Sequence, residues 1–388
     1  MGDPLFSKGV GPTVVLIVLI KTLVVFVFLL VGVLFTIWML RKVMADMQDR
    51  IGPNRAGPYG LLQSVADGIK LFFKEDLLPE TADRRVFRLA PYLAAVPAFL
   101  TFAVVPIGGT VKLFGHRTIL QLADPPVGIL LVLALSSIAV YGVMLAGWAS
   151  GSKYPLLGGV RVTAQMLSYE AAMGLATAAV VLSAGSLSTR VIVTEQANWR
   201  WNLWQLGIIP FAVFLLAAAA EMRHRPFDLV EADQELVAGF MTEYSSVRFA
   251  LFYLAEFMGT ITMSAVMITL FLGGPLGPDI GFLGGRVSPL WFFVKLVGFL
   301  FLFMWIRTTV PRFRYDQLMD LGWKRMIPLS LAWLLLIAAM RLGVDEGWNR
   351  FEVVAIAVAA GTVAAGALAA AMRVSAARRE EQELEATV

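Results

Sequence analysis

Residues 14–39 read VVLIVLIKTLVVFVFLLVGVLFTIWM, with Lys21 as the only charge. A helix rises about 1.5 Å per residue, and a bilayer core of about 30 Å takes roughly 20 apolar residues to cross. The run is therefore long enough to span a membrane. It is too long for a signal peptide and has no small-residue cleavage site before its polar flank, so it is read as a retained span. The same ruler finds eight more candidates, at roughly 88–107, 127–148, 163–184, 203–220, 247–272, 290–306, 327–340 and 352–372. The eighth is short, and the ninth is rich in Ala and Gly.

Composition agrees with this reading. Of 388 residues 58% are hydrophobic and only 15% charged, with a net charge of +4, and the mean hydropathy is +0.75. Soluble domains carry about 25% charged residues. The small, dispersed positive balance gives no basis for a nucleic-acid partner and is better read as loop topology. There are no cysteines, which excludes disulfides, thiolate zinc sites and cysteine-ligated iron–sulfur clusters within the chain. The expected fold is an all-α polytopic membrane protein of about eight or nine transmembrane helices, with one interfacial helix after the first span. Residues 1–372 form a single transmembrane helical domain and 373–388 a charged inside tail.

Lys and Arg concentrate in the loops after spans 1, 3, 5 and 7 and in the tail. By the positive-inside rule those loops face the cytoplasm and the N-terminus lies outside. No internal repeat is visible, which weakens a transporter built on inverted repeats.

The inside loops carry the chemistry. Residues 48–76 read QDRIGPNRAGPYGLLQSVADGIKLFFKED. Gly52-Pro53 and Gly57-Pro58 make the first part a turn-rich strap. From about 58 to 75 the pattern is helical, with Leu62, Val65, Ile69 and Phe72 on one face and Gln63, Asp67, Lys70 and Lys74 on the other. Such a helix is too short and too charged to span, and is expected to lie along the inner surface. From composition alone it reads equally as a plain surface anchor.

The loop at 221–246 holds six acids, Glu221, Asp228, Glu231, Asp233, Glu235 and Glu243, against Arg223 and Arg225. Asp228 after Pro226 suits an N-cap, with Glu231 completing a capping box, but that explains only two of the six. Glu231 and Glu235 stand four apart on one helical face, where like charges repel. Crowded, partly buried carboxylates share protons; a solvated acidic loop is the competing reading. Within the spans, Glu170 sits in the otherwise uncharged QMLSYEAAMGLATAAVV and Glu256 in the sixth span. An acid at mid-membrane is costly and usually serves ion or proton traffic. Lys21 and Lys295 lie nearer span ends and are expected to snorkel outward, while Arg161 marks the inner mouth of the fourth span. The loop at 307–326, with Arg312, Arg314, Lys324 and Arg325, fits a positive-inside anchor and equally suits docking to a soluble partner.

His116 and His224 are the only histidines, and the topology sets them on opposite membrane faces. A bis-histidine haem is thereby excluded. There is no metal motif, P-loop, dinucleotide fingerprint or nucleophile triad. Any redox chemistry is expected to reside in other subunits, with no metal, haem, flavin or iron–sulfur cluster in this chain.

The segments at 48–76, GWASGSKYPLLGGVRVTAQMLSYE at 147–170, RPFDLVEADQELVAGFMTEYSS at 225–246, LFYLAEF at 251–257 and PRFRYDQLMDLGWK at 311–324 together resemble the family of the quinone-site membrane subunit, the H subunit, of respiratory complex I (NADH-quinone oxidoreductase), across roughly residues 15–340. The resemblance implies an all-helical subunit of a proton-translocating enzyme in the inner cell membrane. It would form a chamber for ubiquinone or menaquinone with a soluble iron–sulfur subunit and pass coupling on to antiporter-like membrane subunits. By matching position, Arg50, Arg55, Gln63, Asp67 and Lys70 would line the quinone entrance. Asp228, Glu231, Asp233, Glu235 and Glu243 would form the acidic loop below the chamber, and Glu170 would continue the proton path. Two departures stand out. Leu40 precedes Arg41-Lys42 where relatives often have an acid, and Arg223-His224-Arg225 stands where Asn-Arg-Thr is common. Those cations either lower nearby carboxylate pKa values or pair with headgroups. A related membrane subunit of a hydrogenase or other non-NADH-fed complex, a free-standing ion or solute transporter, and a purely structural anchor are the alternative readings.

Overall fold

The computed structural model describes residues 3–6, 9, 11–229, 236–279, 288–347 and scattered positions between 352 and 370. Its first helix, α1 (Pro12–Met47), is apolar all round, and 36 residues at about 1.5 Å each outrun a hydrocarbon core. The excess carries Arg41 and Lys42 beyond the apolar stretch. A strap of turns follows. There Gly60 has φ +74, and a Cβ on it would stand 2.4 Å from the Pro53 carbonyl, so the strap folds against itself only with glycine at that position. The short α2 (Gln63–Phe73) is strongly amphipathic, with Ile69 and Phe72 exposed on its apolar face. This is the expected interfacial helix, one turn shorter at its start because Pro58–Gly60 forms a separate 3-10 turn.

α3 (Arg84–Phe102) is capped by Asp83, whose carboxylate accepts from the Arg85 and Val86 amides. Strands β1 (Thr110–Leu113) and β2 (His116–Ile119) form an antiparallel hairpin, a feature absent from the sequence reading. α4 (Gly128–Ala149) turns back within three residues into α5 (Lys153–Ala184), which ends on left-handed Gly185. The two helices pack closely because Gly147 faces Gly159; a Cβ at Gly147 would stand 2.4 Å from the Pro155 carbonyl oxygen. Two short helices, α6 (Thr189–Glu195) and α7 (Asn202–Gln205), lead into α8 (Ile208–Glu221). α9 (Ser246–Phe271) is buried on nearly all sides and forms the hub of the bundle. α10 (Pro289–Thr309) and α11 (Tyr315–Asp320) follow. α11 runs through a π-helical turn at Leu321–Met326 into α12 (Ile327–Asp345).

Six of these helices are long and apolar enough to cross a membrane, so the all-α polytopic architecture stands. Expected spans two and five fall on α3, which contains Pro91 and Pro97, and on the 14-residue α8. Of the ninth expected span only scattered residues are described, each of them helical, and the tail lies outside the described residues. The main core joins α5, α8, α9 and α10, and a second cluster under Phe87, Phe240 and Phe252 joins α3, α4, α5 and the 3-10 turn Gly239–Met241.

Lys21 and Lys295 turn inward instead of snorkelling. Lys21 Nζ pairs with Asp3 at 3.2 Å and donates to Thr118 of β2. Lys295 Nζ donates to the carbonyls of Leu272, Gly274 and Leu276 at 2.6, 3.0 and 2.6 Å and lies over the Trp201 ring. Both ammonium groups find fixed protein partners, which offset the cost of turning them inward.

Candidate functional site

Gln165 of α5 sets the geometry. Its buried amide nitrogen donates to the carbonyls of Ala220 and Phe227, both at 2.9 Å, and so ties the end of α8 and the following loop against α5. This holds Met222–Leu229 inside the bundle. Arg223 and His224 are 7% and 4% exposed, which settles the two readings of that basic stretch: these two side chains face acids within the protein. Arg225 is exposed and pairs with Asp228 at 3.6 Å.

Glu256 of α9 receives them. His224 Nδ1 stands 3.2 Å from Glu256 Oε1, and Arg307 Nη1 of α10 lies 2.9 Å from the same ring nitrogen and 3.6 Å from Oε1. His224 Nε2 meets the Thr260 hydroxyl at 2.9 Å, and that hydroxyl donates to the Glu256 carbonyl. Burial pushes the imidazole below its usual pKa, and Arg307 pushes it the same way. Asp228 is raised by burial in spite of Arg307 and Arg312 nearby.

A cavity of about 70 Å³ opens beside Glu256 between α3, α4, α5, α8 and α9, with Thr101, Ser136, Glu221, Arg223 and Thr262 on its walls. Glu221 Oε2, Arg223 Nε and Nη1 and Thr262 Oγ1 are buried there without a hydrogen-bond partner among the described residues. The walls are mostly apolar, but these unpartnered polar atoms on them give a void of this size a place for water, which needs about 10–15 Å³ to enter. Glu221 is also within electrostatic reach of Glu170, whose carboxylate accepts from the Ser137 hydroxyl of α4. Glu221 and Glu256 are thus buried, Glu170 and Asp228 half-buried, and Glu170 acts on Glu221 while Arg223 and Arg307 act on Glu256. On the far side of His224 a narrow crevice of about 10 Å³ is bounded by Thr36 and Leu40 of α1, by Thr260, and by Phe303 and Arg307 of α10.

Of the residues expected from sequence, Glu170 and Asp228 belong to this group. Glu243 lies half-buried near the second core cluster, and no hydrogen bond or ion pair joins it to the group among the described residues. Glu231, Asp233 and Glu235, and with them the capping box at Asp228, fall outside the described residues. Glu221, Arg223, His224, Glu256 and Arg307 were not singled out as site residues. The lone acid of the sixth span was the one available signal for them. Among the described residues no three His, Cys, Asp or Glu side chains converge as a metal set.

The entrance residues divide. Asp67 of α2 accepts from Arg41 of α1 at 2.6 Å, with Gln63 and Lys70 each 3.5 Å away. Arg50 bonds Gln48 and is exposed, as is Arg55. Ser245 and Ser246 at the start of α9 donate to the carbonyls of Glu75 and Leu71, so α2 is fixed to both α1 and α9. Burial works against the Asp67 charge, but the Arg41 guanidinium and Lys70 overcome it and hold the carboxyl below the usual aspartate range. The contact's contribution is therefore fully present above aspartate's ordinary titration and is lost only as pH falls through the lowered value. A dye on a single cysteine at Ile69, clean in this cysteine-free chain, should report α2 docked through the ordinary aspartate range and released only in stronger acid. In Asp67→Asn the release should lose this acid dependence.

A bundle of helices long and apolar enough to cross a membrane, with acids and arginines held between them, defines a polytopic membrane protein. The sequence pattern of the NADH dehydrogenase family matches residues 20–338, and the chain belongs to that family. It is 52% identical over 345 residues to the H subunit of the NADH-quinone oxidoreductase of Frankia alni, covering 88% of this chain and 76% of that one. It is 52% identical over 331 residues to the protein of the same name from Frankia casuarinae (84% and 73%), and 49% over 354 residues to that of Streptomyces avermitilis (89% and 77%).

Proposed function

We propose that this chain is the membrane subunit through which a proton-translocating NADH-quinone oxidoreductase, a translocase, admits quinone and couples its reduction to proton movement. The buried Glu221 and Glu256, lining one cavity with half-buried Glu170 and Asp228 close by, carry this reading, because a membrane anchor has no use for carboxylates that cost so much to bury. Ubiquinone or menaquinone is the substrate, and it enters between α1 and α2, where Arg41, Gln63, Asp67 and Lys70 meet and Arg50 and Arg55 flank the strap. A quinone with an apolar tail leaves the bilayer along the exposed apolar face of α2. Reduction adds negative charge, to which carboxylates in a low-dielectric setting respond strongly. Glu231, Asp233, Glu235 and Glu243 serve the same proton route. Electrons are held by partner subunits: soluble iron–sulfur chains at the quinone site, with antiporter-like membrane chains beyond. Lipid surrounds the bundle in the cell membrane, with the basic loops on the cytoplasmic side and the N-terminus outside.

The test is to purify the tagged chain from its native membrane in mild detergent. Iron–sulfur EPR signals that NADH reduces and quinone reoxidises are expected to copurify. A chain that purifies alone, or clusters that ignore NADH, would remove the assignment. In proteoliposomes Glu170→Gln and Glu221→Gln should each lower quinone-driven proton translocation at least tenfold, the scale of losing one proton-transfer group. Pumping left intact in both would sink the carboxylate route.

A further inference from the structure

We propose that Gln165 is the positioning residue of the proton route, its side-chain amide setting where Glu221 and Asp228 stand. The inference deepens the reading above, that buried carboxylates of this chain carry protons, and rests on it. The two carbonyls that the amide binds belong to the peptide groups leading into these acids. Ala220 immediately precedes Glu221, Phe227 immediately precedes Asp228, and Gln165 Nε2 lies 2.9 Å from each carbonyl oxygen. A peptide group is planar, so holding its oxygen holds the plane that ends at the next Cα. One side chain on α5 thereby places two acids from another part of the chain. Glu170, within electrostatic reach of Glu221, stands on the same helix.

The amide is held one way round. Turned over, Oε1 would face two carbonyl oxygens, and none of the three carries a proton to share. Gln165 is 1% exposed, and Oε1 has no hydrogen-bond partner among the described residues, so the two bonds of the nitrogen decide the orientation.

Between the two pinned peptides the backbone is strained. Arg223 has φ +57, where side chains other than glycine are rare, and such strain persists only where the surroundings over-determine it. The side chain of Arg223 supplies little of that restraint. Its Nε and Nη1 have no partner among the described residues, and the guanidinium rests over the Phe240 ring at 5.2 Å. Phe227 packs on the rings of Tyr169 and Phe313 at 5.4 and 5.8 Å, but apolar burial is non-directional and does not fix where a peptide group points. Ser168 and Tyr169 of α5 give their hydroxyls to the carbonyls of Ala164 and Leu318 and do not stand in for the amide. Without it the stretch from Ala220 to Phe227 relaxes, and both acids shift with it. Proton transfer works only across hydrogen-bond reach, so a shift of about 1 Å is enough to slow it.

The experiment uses the whole complex in proteoliposomes, with the amount assembled read from native gels. Gln165→Met keeps the length and loses both donors; Gln165→Glu keeps the shape with one proton at most. Per assembled complex, each should slow quinone-driven proton translocation about tenfold or more, the scale on which misplaced reacting groups act, and leave the KM for quinone at the parent value. A glutamine that only stabilised the fold would lower the number of complexes and leave the rate of each unchanged. Either assembled variant translocating at the parent rate overturns the inference. So does a loss carried by KM, which would put the damage at the quinone entrance, and so does failure of both variants to assemble, which would make Gln165 a folding residue. Glu221→Gln run in parallel separates the two levels. If it stalls while the Gln165 variants translocate normally, only the positioning role falls; if it translocates normally itself, the carboxylate route fails.

Discussion

Glu256→Ala is expected to cost about 3–5 kcal/mol, the scale for removing one partner of a buried ion pair. At 1.4 kcal/mol per factor of ten, that is more than a hundredfold in the folding equilibrium. Glu256 is the anion against which Arg307 and His224 are placed, and Arg223 also acts on it. Without it Arg307 and Arg223 both lose the anion that acts on them. Glu256→Gln keeps the shape and a hydrogen-bond acceptor, so it should assemble better than the alanine variant while still losing proton translocation. Arg341→Ala, at an exposed contact with Ser183, should leave assembly within about 0.5 kcal/mol of the parent. Thermal midpoints and native-gel yields of the solubilised complex measure all three. An alanine variant as stable as the arginine one would show that the cluster does not hold the α8–α9–α10 junction.

Gly147→Val is the second large effect. The added Cβ would meet the Pro155 carbonyl oxygen at 2.4 Å and Gly159 Cα at 3.0 Å. Both are backbone, so no side chain can move to make room, and overpacking of this kind costs about 1–3 kcal/mol or more. The three-residue α4–α5 turn lets neither helix slide away. On its other side α5 is held by Gly158, where a Cβ would stand 2.7 Å from the Phe240 amide nitrogen. α5 therefore sits in a slot set by small residues, and it carries Gln165 and Glu170 with it. The variant should fail to accumulate in membranes by immunoblot. Gly174→Ala, further along the same helix with nothing within 4 Å of the new methyl, should accumulate normally. Equal levels of the two would refute the slot.

The spans, the interfacial helix and Glu170 were legible in the sequence because each is a local pattern: an apolar run, a 3.6-residue alternation, one acid in an uncharged stretch. Glu221 was not legible as a site residue. It is the last residue of a short Ala-rich helix and reads as the first charge of a loop; only the Gln165 bonds 55 and 62 residues away in sequence bring that end inside. His224 and Arg307 also meet Glu256 from distant parts of the chain, so their pairing is a tertiary fact that periodicity does not carry. The hairpin at 110–119 turns at Phe114-Gly115, both at positive φ, and the phenylalanine hides the Asn-Gly or Asp-Gly signature of such turns. Arg50 and Arg55 were read from resemblance alone, and the structure shows them exposed on the strap, outside the Asp67 contact.

The three carbonyls gathered on Lys295 amount to a coordination site in which the ion is tethered. Its ammonium uses all three protons on Leu272, Gly274 and Leu276, the part that a bound metal plays in other loops. Chelators cannot strip such an ion and changes in salt cannot exchange it, so the turn at 272–276 keeps its cation whatever the ionic composition around it.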